Sequence, residues 1–280
     1  MGRVVTKIGK PFQSALKSFE REIFEMKNYS DFEALYSRYV DTFRDASGIL
    51  PPMMELKRIH TEKVVENAIA IADGESFDDR EREDGMIAAL LHDTGRYEQL
   101  KRFNTFKDSE SVDHAVYSHD IVRKLGWLDG HPDAEPILKS VLYHNRRDLP
   151  DGMDALTALL SHTVRDADKL DIFRVLEEQV RTTDWRKDSR AFWNLKVSEA
   201  PNPLVVAAIR ERRPVDYQNI QSLADFVLIQ VGWMISGLHF GTSRRLTRER
   251  GHLSFRRNFL KEIGGGAEAD SLCDLAEKER

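Results

Sequence analysis

Apolar residues recur along this chain at intervals of three and four, the spacing of amphipathic helices. Between about Ser30 and Arg44, the residues Phe32, Leu35, Tyr36, Tyr39 and Phe43 form one stripe, with Ser30 as the N-cap. Pro51-Pro52 then punctuates the chain. A second helix is predicted from about Met53 to Ala72, stopping before Asp73-Gly74, and a third from Arg80 to His92, closed near Gly95 by a left-handed cap. Ser111 to Leu125 follows and ends at Gly126. Pro136 lies in the first turn of a segment reaching His144, and Asp154 to Val180 carry helical spacing throughout, as one helix or as two meeting near Asp166. From Arg181 to Asp216 the pattern weakens around Pro201, Pro203 and Pro214, with Trp185 and Trp193, and predicts a loop-rich lid or insertion with short helices. A helix from about Ser222 to Leu238 returns, followed by an amphipathic, basic continuation to Leu260. The tail after Gly264-Gly265-Gly266 is expected to be mobile. β-branched residues do not alternate cleanly over five or more positions, so strand signals are poor.

The expectation is an all-α protein. Its segments are an N-terminal helical part (1–50), a helical core (51–180), an insertion with C-terminal helices packing on that core (181–263) and a mobile tail (264–280).

Composition narrows the function classes. At 280 residues, 41% hydrophobic and 32% charged, the chain is an ordinary globular sequence able to bury a large core. A net charge of −5 gives no global pull towards nucleic acid or anionic membranes. The single Cys273 excludes an intrachain disulfide and a tetrathiolate zinc site. No apolar run reaches the ~18 residues that span a bilayer. The basic start, MGRVVTKIGK, has no signal-peptide core, and Gly2 alone does not make a myristoylation signal, so a cytoplasmic location is expected.

Candidate chemistry lies in His and Asp residues on the apolar stripes. His60 shares a stripe with Val64 and Ala68, His144 with Ile137 and Val141, and Asp168 with Leu160, Val164 and Ile172. His92 and Asp93 end the segment MIAALLHD, where Ala88 and Ala89 let a neighbouring helix approach. A lone histidine on such a face is usually a satisfied core residue, and His119-Asp120 repeats the dipeptide elsewhere. The joint placement is what carries weight. Burying a carboxylate costs several kcal/mol unless it is paired or ligates a cation, and His nitrogen with Asp oxygen suits divalent metals. Helical spacing alone does not separate His114 from His119, which are five positions, or ~500°, apart. Of Asp166, Asp168 and Asp171, the stripe selects Asp168 and leaves Asp171 a supporting or ion-pair role.

The order His60, His92-Asp93 and a distant Asp168 resembles the HD-domain superfamily. So do the local sequences LLHDTGRYEQ, TFKDSESVDHA, LYHN and RDADKLDIFR. The likeness covers about residues 55–178 and, more loosely, the helices to Phe259; it is closest to a branch of metal-dependent phosphohydrolases. The resemblance implies a bundle of about five helices. It also implies one metal ion, a first-row transition ion (Mn, Fe, Zn, Ni or Co) or Mg, held by His60, His92, Asp93 and Asp168. The DHA context selects His114, which with His144 would hold a second ion bridged by Asp93. Two-metal relatives often carry paired histidines at the His144 position, where this chain has Asn145.

The activity so implied is hydrolysis of a nucleotide or other small phosphate ester by a metal-activated water, with Asp93 at the metals. Lys169 and Arg96, each beside a ligand, are favoured over Arg146, Arg147 and Arg165 to offset phosphoryl charge. The same six residues resemble the di-iron site of myo-inositol oxygenase and related HD-domain oxygenases, which is the alternative. A non-catalytic nucleotide-binding regulatory module is a third class. The basic run from Ser243 to Arg257 reads as a solvated amphipathic helix before it reads as a surface for an acidic partner. The apolar helix with Phe226, Ile229, Trp233 and Ile235 would dock on the core or on a second subunit.

Overall fold

Helix after helix begins where a short polar side chain can satisfy the first free amides. Asn28, Asp78, Asp113, Asp154, Asn202 and Ser222 each accept a backbone N–H of the helix that follows. Asp78–Glu81 and Ser222–Asp225 complete reciprocal capping boxes. The computed structural model describes residues 28–187, 192 and 195–279. Gly2, the basic N-terminal stretch and Trp193 lie outside the described residues.

The elements in chain order are α1 (Tyr29–Asp41), α2 (Pro52–Glu75), α3 (Asp79–Leu91), α4 (Gly95–Phe103), α5 (His114–Leu125), α6 (Ala134–Tyr143) and α7 (Ala155–Thr182). After these come α8 (Pro203–Arg210), α9 (Leu223–Gly232), a π-helical turn (Trp233–Gly237), α10 (Gly241–Glu249), α11 (His252–Glu262) and α12 (Gly266–Lys278). Among the described residues there is no strand, only an isolated bridge between Lys196 and Ser222. No described helix is long and apolar enough to cross a membrane. The expected all-α class therefore holds.

α7 is the axis. It packs against α2, α3 and α6, while α5 lies against α4 and α6. One continuous core runs from Phe32 and Tyr39 on α1, through Val64, Leu91 and Phe173, to Leu228 and Cys273. At 28 residues α7 spans about 42 Å. It is one helix, because its polar run RDADKLD faces partners inside the molecule and does not break the hydrogen-bond ladder.

Several sequence expectations are corrected. Asn28, not Ser30, caps α1. The helix expected from Ser111 begins at His114, capped by Asp113. Gly95 is no left-handed terminator but the first residue of α4; a Cβ there would lie 2.6 Å from the Ser118 backbone nitrogen on α5. Its small size serves the close approach of two helices. The expected helix from Ser222 to Leu238 is α9 followed by the π turn, and Leu238 is extended.

The basic continuation is two helices divided at Gly251, whose φ of +71° favours glycine. It is not simply solvated, since Arg256 is fully buried against Glu177. Residues after Gly264 do not form a loose tail. They form α12, where Ala269, Leu272, Cys273 and Ala276 recur at helical spacing and are buried. Ile229 and Ile235 on the apolar helix and turn are buried within this chain.

Candidate metal centre

Five elements deliver histidines and aspartates to one interior point. α2 contributes His60 and the C-terminal end of α3 leads into His92 and Asp93. His114 is the first residue of α5, His144 caps the C-terminus of α6, and Asp168 stands midway along α7. Except for the part-exposed Asp168, all are buried.

Each imidazole is oriented from behind. His60 Nδ1 lies 2.6 Å from Asp171 Oδ2, His92 Nδ1 2.6 Å from the Ala89 carbonyl, His114 Nδ1 2.5 Å from Asp108 Oδ2, and His144 Nδ1 2.7 Å from the Val141 carbonyl. A nitrogen facing a carbonyl or carboxylate carries the proton, which leaves Nε2 as the lone-pair atom in the neutral ring. All four Nε2 atoms turn inwards, and those of His60 and His92 are buried and, among the described residues, have no hydrogen-bond partner.

The two oxygens of Asp93 divide this set. Oδ2 lies 3.7 Å from His60 Nε2 and 3.6 Å from His92 Nε2. Oδ1 lies 3.7 Å from His114 Nε2 and 3.9 Å from His144 Nε2. Asp168 Oδ1 is 3.1 Å from His60 Nε2. His114 Nε2 and His144 Nε2 are 3.0 Å apart, an unfavourable meeting of lone pairs unless a cation or proton lies between them. The groups His60–His92–Asp168 and His92–Asp93–His144 each have the compactness of a metal site. The donors therefore fit divalent cations in type and in direction.

Charges follow the same logic. Burial, with His114 and His92 nearby, pushes His144 down to about 3, and burial also lowers His92. Burial opposes ionisation of Asp93, yet Lys57, His92 and Arg96 hold its carboxyl well below the usual range. Burial lowers His60, but Asp168 and Asp171 more than offset this and raise it. A cation at its Nε2 thus competes with a proton.

The supporting side chains were only partly foreseen. Asp171 takes the expected supporting role, holding His60 while Arg174 Nε donates to it at 2.6 Å. Lys57, unsuspected from sequence, donates to Asp93 Oδ2 at 2.6 Å; its place one turn before His60 was the available signal. Asp108, also missed, accepts from Arg96 Nη1 and Gln99 Nε2, each at 3.1 Å, on the oxygen turned away from His114.

Arg96 is 3.4 Å from Asp93 Oδ1 and donates to the Phe106 carbonyl at 2.7 Å, so it braces the loop beneath His114. His119 pairs with Asp120 away from the cluster. Asn145 Nδ2 donates to Asp113 at 3.1 Å, bracing the start of α5. Asp166 accepts the backbone amides of His239 and Phe240 at 2.9 Å and pins the segment after the π turn to α7.

A cavity of about 600 Å³ opens from the cluster. Its inner wall includes Asp93, His114, His144 and Asp168, and its side wall the basic residues Arg165 and Lys169. Burial, partly offset by Asp166, lowers Lys169 to about 8. The outer wall comes from the C-terminal part of the chain, among others Arg212, Tyr217, Trp233 and His239.

Comparison with curated proteins and with solved structures gave no match. Residues 58–172 match the family model of the HD domain, a span that begins on α2, ends on α7 and contains all six converging residues. The chain thus carries an HD domain over residues 58–172.

Proposed function

We propose that this protein is a metal-dependent phosphohydrolase acting on a small phosphate ester, a nucleotide or a related phosphorylated compound. The observation that carries this reading is the set of four imidazoles, each tied at Nδ1, whose Nε2 atoms face the two oxygens of Asp93 beside a groove lined with basic side chains. On this reading His60, His92 and Asp168 hold one cation, His114 and His144 hold another, and Asp93 serves both. Imidazole and carboxylate donors suit Mn, Fe, Zn, Ni or Co, with Mg a weaker fit to so many nitrogens. Bound there, divalent cations polarise a phosphoryl oxygen and make an attacking water available at neutral pH.

The chain's own groups do the rest. Lys57 and Arg96 keep Asp93 ionised in a buried setting. Lys169, next to Asp168 and facing the groove, offsets charge that grows on the phosphoryl oxygens. Arg96 acts through Asp93 and Asp108, since its Nη1 donates to Gln99, the Phe106 carbonyl and Asp108, and its Nε lies 3.4 Å from Asp93 Oδ1.

The same donors also suit iron and oxygen chemistry, as in the HD-domain oxygenases; the basic groove favours a phosphorylated ligand without deciding the reaction. A panel of nucleotides and sugar phosphates assayed with and without oxygen separates the two. The account expects phosphate release that is independent of oxygen and falls at least ~100-fold in Asp93→Asn. Oxygen uptake coupled to substrate loss would contradict it.

A further inference from the structure

α7 carries two positive charges into the groove that no carboxylate meets. Arg165 and Lys169 lie four positions apart, line the cavity and are part-buried. The Arg165 guanidinium donates to main-chain carbonyls, Nη1 to Tyr143 at 3.3 Å and to Arg146, and Nη2 to Arg147 at 3.2 Å. Lys169 Nζ reaches the Arg165 carbonyl at 3.3 Å. Among the described residues neither side chain has a carboxylate within 4.0 Å. Asp166 and Asp168 are the acids whose charges act on Lys169; Asp166 is held by two backbone amides and Asp168 turns to His60.

Other basic residues of the cavity are paired: Lys57 with Asp93, Arg96 with Asp108, Arg146 with Asp113 and Arg147 with Asp148. Like charges at i and i+4 repel, and more strongly away from water. Carbonyls orient the guanidinium but do not neutralise it. An anion between the two would.

We propose that Arg165, with Lys169 shared between it and the phosphate ester at Asp93 and Asp168, forms a subsite for a second acidic group of the substrate, a phosphate or a carboxylate. The inference rests on the phosphohydrolase reading and narrows its substrate to small molecules with two anionic groups. Arg165 is three residues from Asp168, about 4.5 Å along the helix axis, so a few bonds separate the two groups. The basic stripe ends one turn further on. There His162 stacks on His239, with ring centres 3.6 Å apart and planes at 11°. Burial pushes His162 down to about 4, which leaves that ring uncharged at neutral pH. The site so drawn suits two anionic groups and not a long polyanion.

The test is calorimetric titration of the metal-loaded full chain with methylphosphonate, methylenediphosphonate and phosphonoacetate. These stand for one phosphate, two phosphates, and a phosphate with a carboxylate. The doubly charged probes are expected to bind about 10-fold or more tightly than methylphosphonate, the worth of one charge-assisted contact. In Arg165→Gln that advantage should shrink to within about 3-fold, with methylphosphonate affinity kept. Arg165→Lys retains the charge but not the fork over three carbonyls, and should keep most of the advantage.

An advantage untouched by Arg165→Gln, or lost equally in Arg165→Lys, would overturn the subsite, the latter by showing a structural brace. Which doubly charged probe gains more tells phosphate from carboxylate. Failure of all three probes to bind metal-loaded protein would instead overturn the phosphohydrolase reading itself.

Discussion

Each imidazole in the cluster is a choice between two tautomers, made by the acceptor on its far side. Two of those acceptors are main-chain carbonyls one turn back, at Ala89 and Val141, and come with the helix ends themselves. The other two are the carboxylates Asp108 and Asp171. The apolar stripes of single helices made His60, His144 and Asp168 legible in the sequence, because periodicity fixes which face a side chain takes. Asp108 and Lys57 were not legible in that way. Asp108 sits in a short 3₁₀ turn, and only the path of residues 104–113 brings it under His114.

Asp108→Asn tests the tautomer argument, since an amide can accept or donate towards Nδ1. Metal affinity, measured by competition with a chelator, should fall by about 10- to 100-fold while the fold is retained. Unchanged affinity would show that His114 needs no such partner.

At the scale of elements, helical spacing located α1, α2, α3, α5, α6 and α7 to within a few residues and missed α4, where Gly95 was expected to end a helix and begins one. Errors arose where a distant partner decided the outcome. The basic run from Ser243 to Arg257 looks solvated until Glu177, 79 residues from Arg256, is seen beneath it. Arg256 donates to Glu177 at 2.9 Å, to Gln230 at 2.7 Å and to the Phe173 carbonyl at 2.9 Å, while His252 Nδ1 approaches Glu177 at 2.6 Å. Arg256→Met leaves the buried Glu177 carboxylate with His252 as its remaining buried partner and should cost about 3 kcal/mol in urea unfolding, whereas Arg256→Met with Glu177→Leu should recover part of that. Additive losses would refute the coupling.

A second buried acid joins α3 to the loop before α6. Burial, and then Asp133 beside it, push Asp84 from 3.8 up to about 7. The folded state therefore holds a proton that the unfolded chain has released. The resulting stability is full below about 3.8 and is lost as pH rises through about 7. Asp84→Asn cannot ionise, so it should gain on the wild type in unfolding free energy between pH 5 and pH 8. A difference that does not change with pH would contradict the raised carboxyl.

At the scale of the whole molecule, residues 58–172 form the HD domain and supply every converging ligand candidate, which is why the centre could be read from sequence order. The groove around it is a joint product. Asp166 on α7 anchors the amides of His239 and Phe240, and that anchor brings the π turn and its flanks over the cavity. Nothing local at residues 233–240 announces this, since the contact joins positions 73 and 74 residues apart.

The central claim is that Asp93 joins two cation sites. Elemental analysis of the protein purified without added metal, alongside Asp93→Asn, tests it most directly. The account predicts about two equivalents of a divalent transition ion in the wild type and nearly none in Asp93→Asn. A wild type that binds no metal even after incubation with manganese, iron or zinc, or a variant with the same content as the wild type, would contradict it.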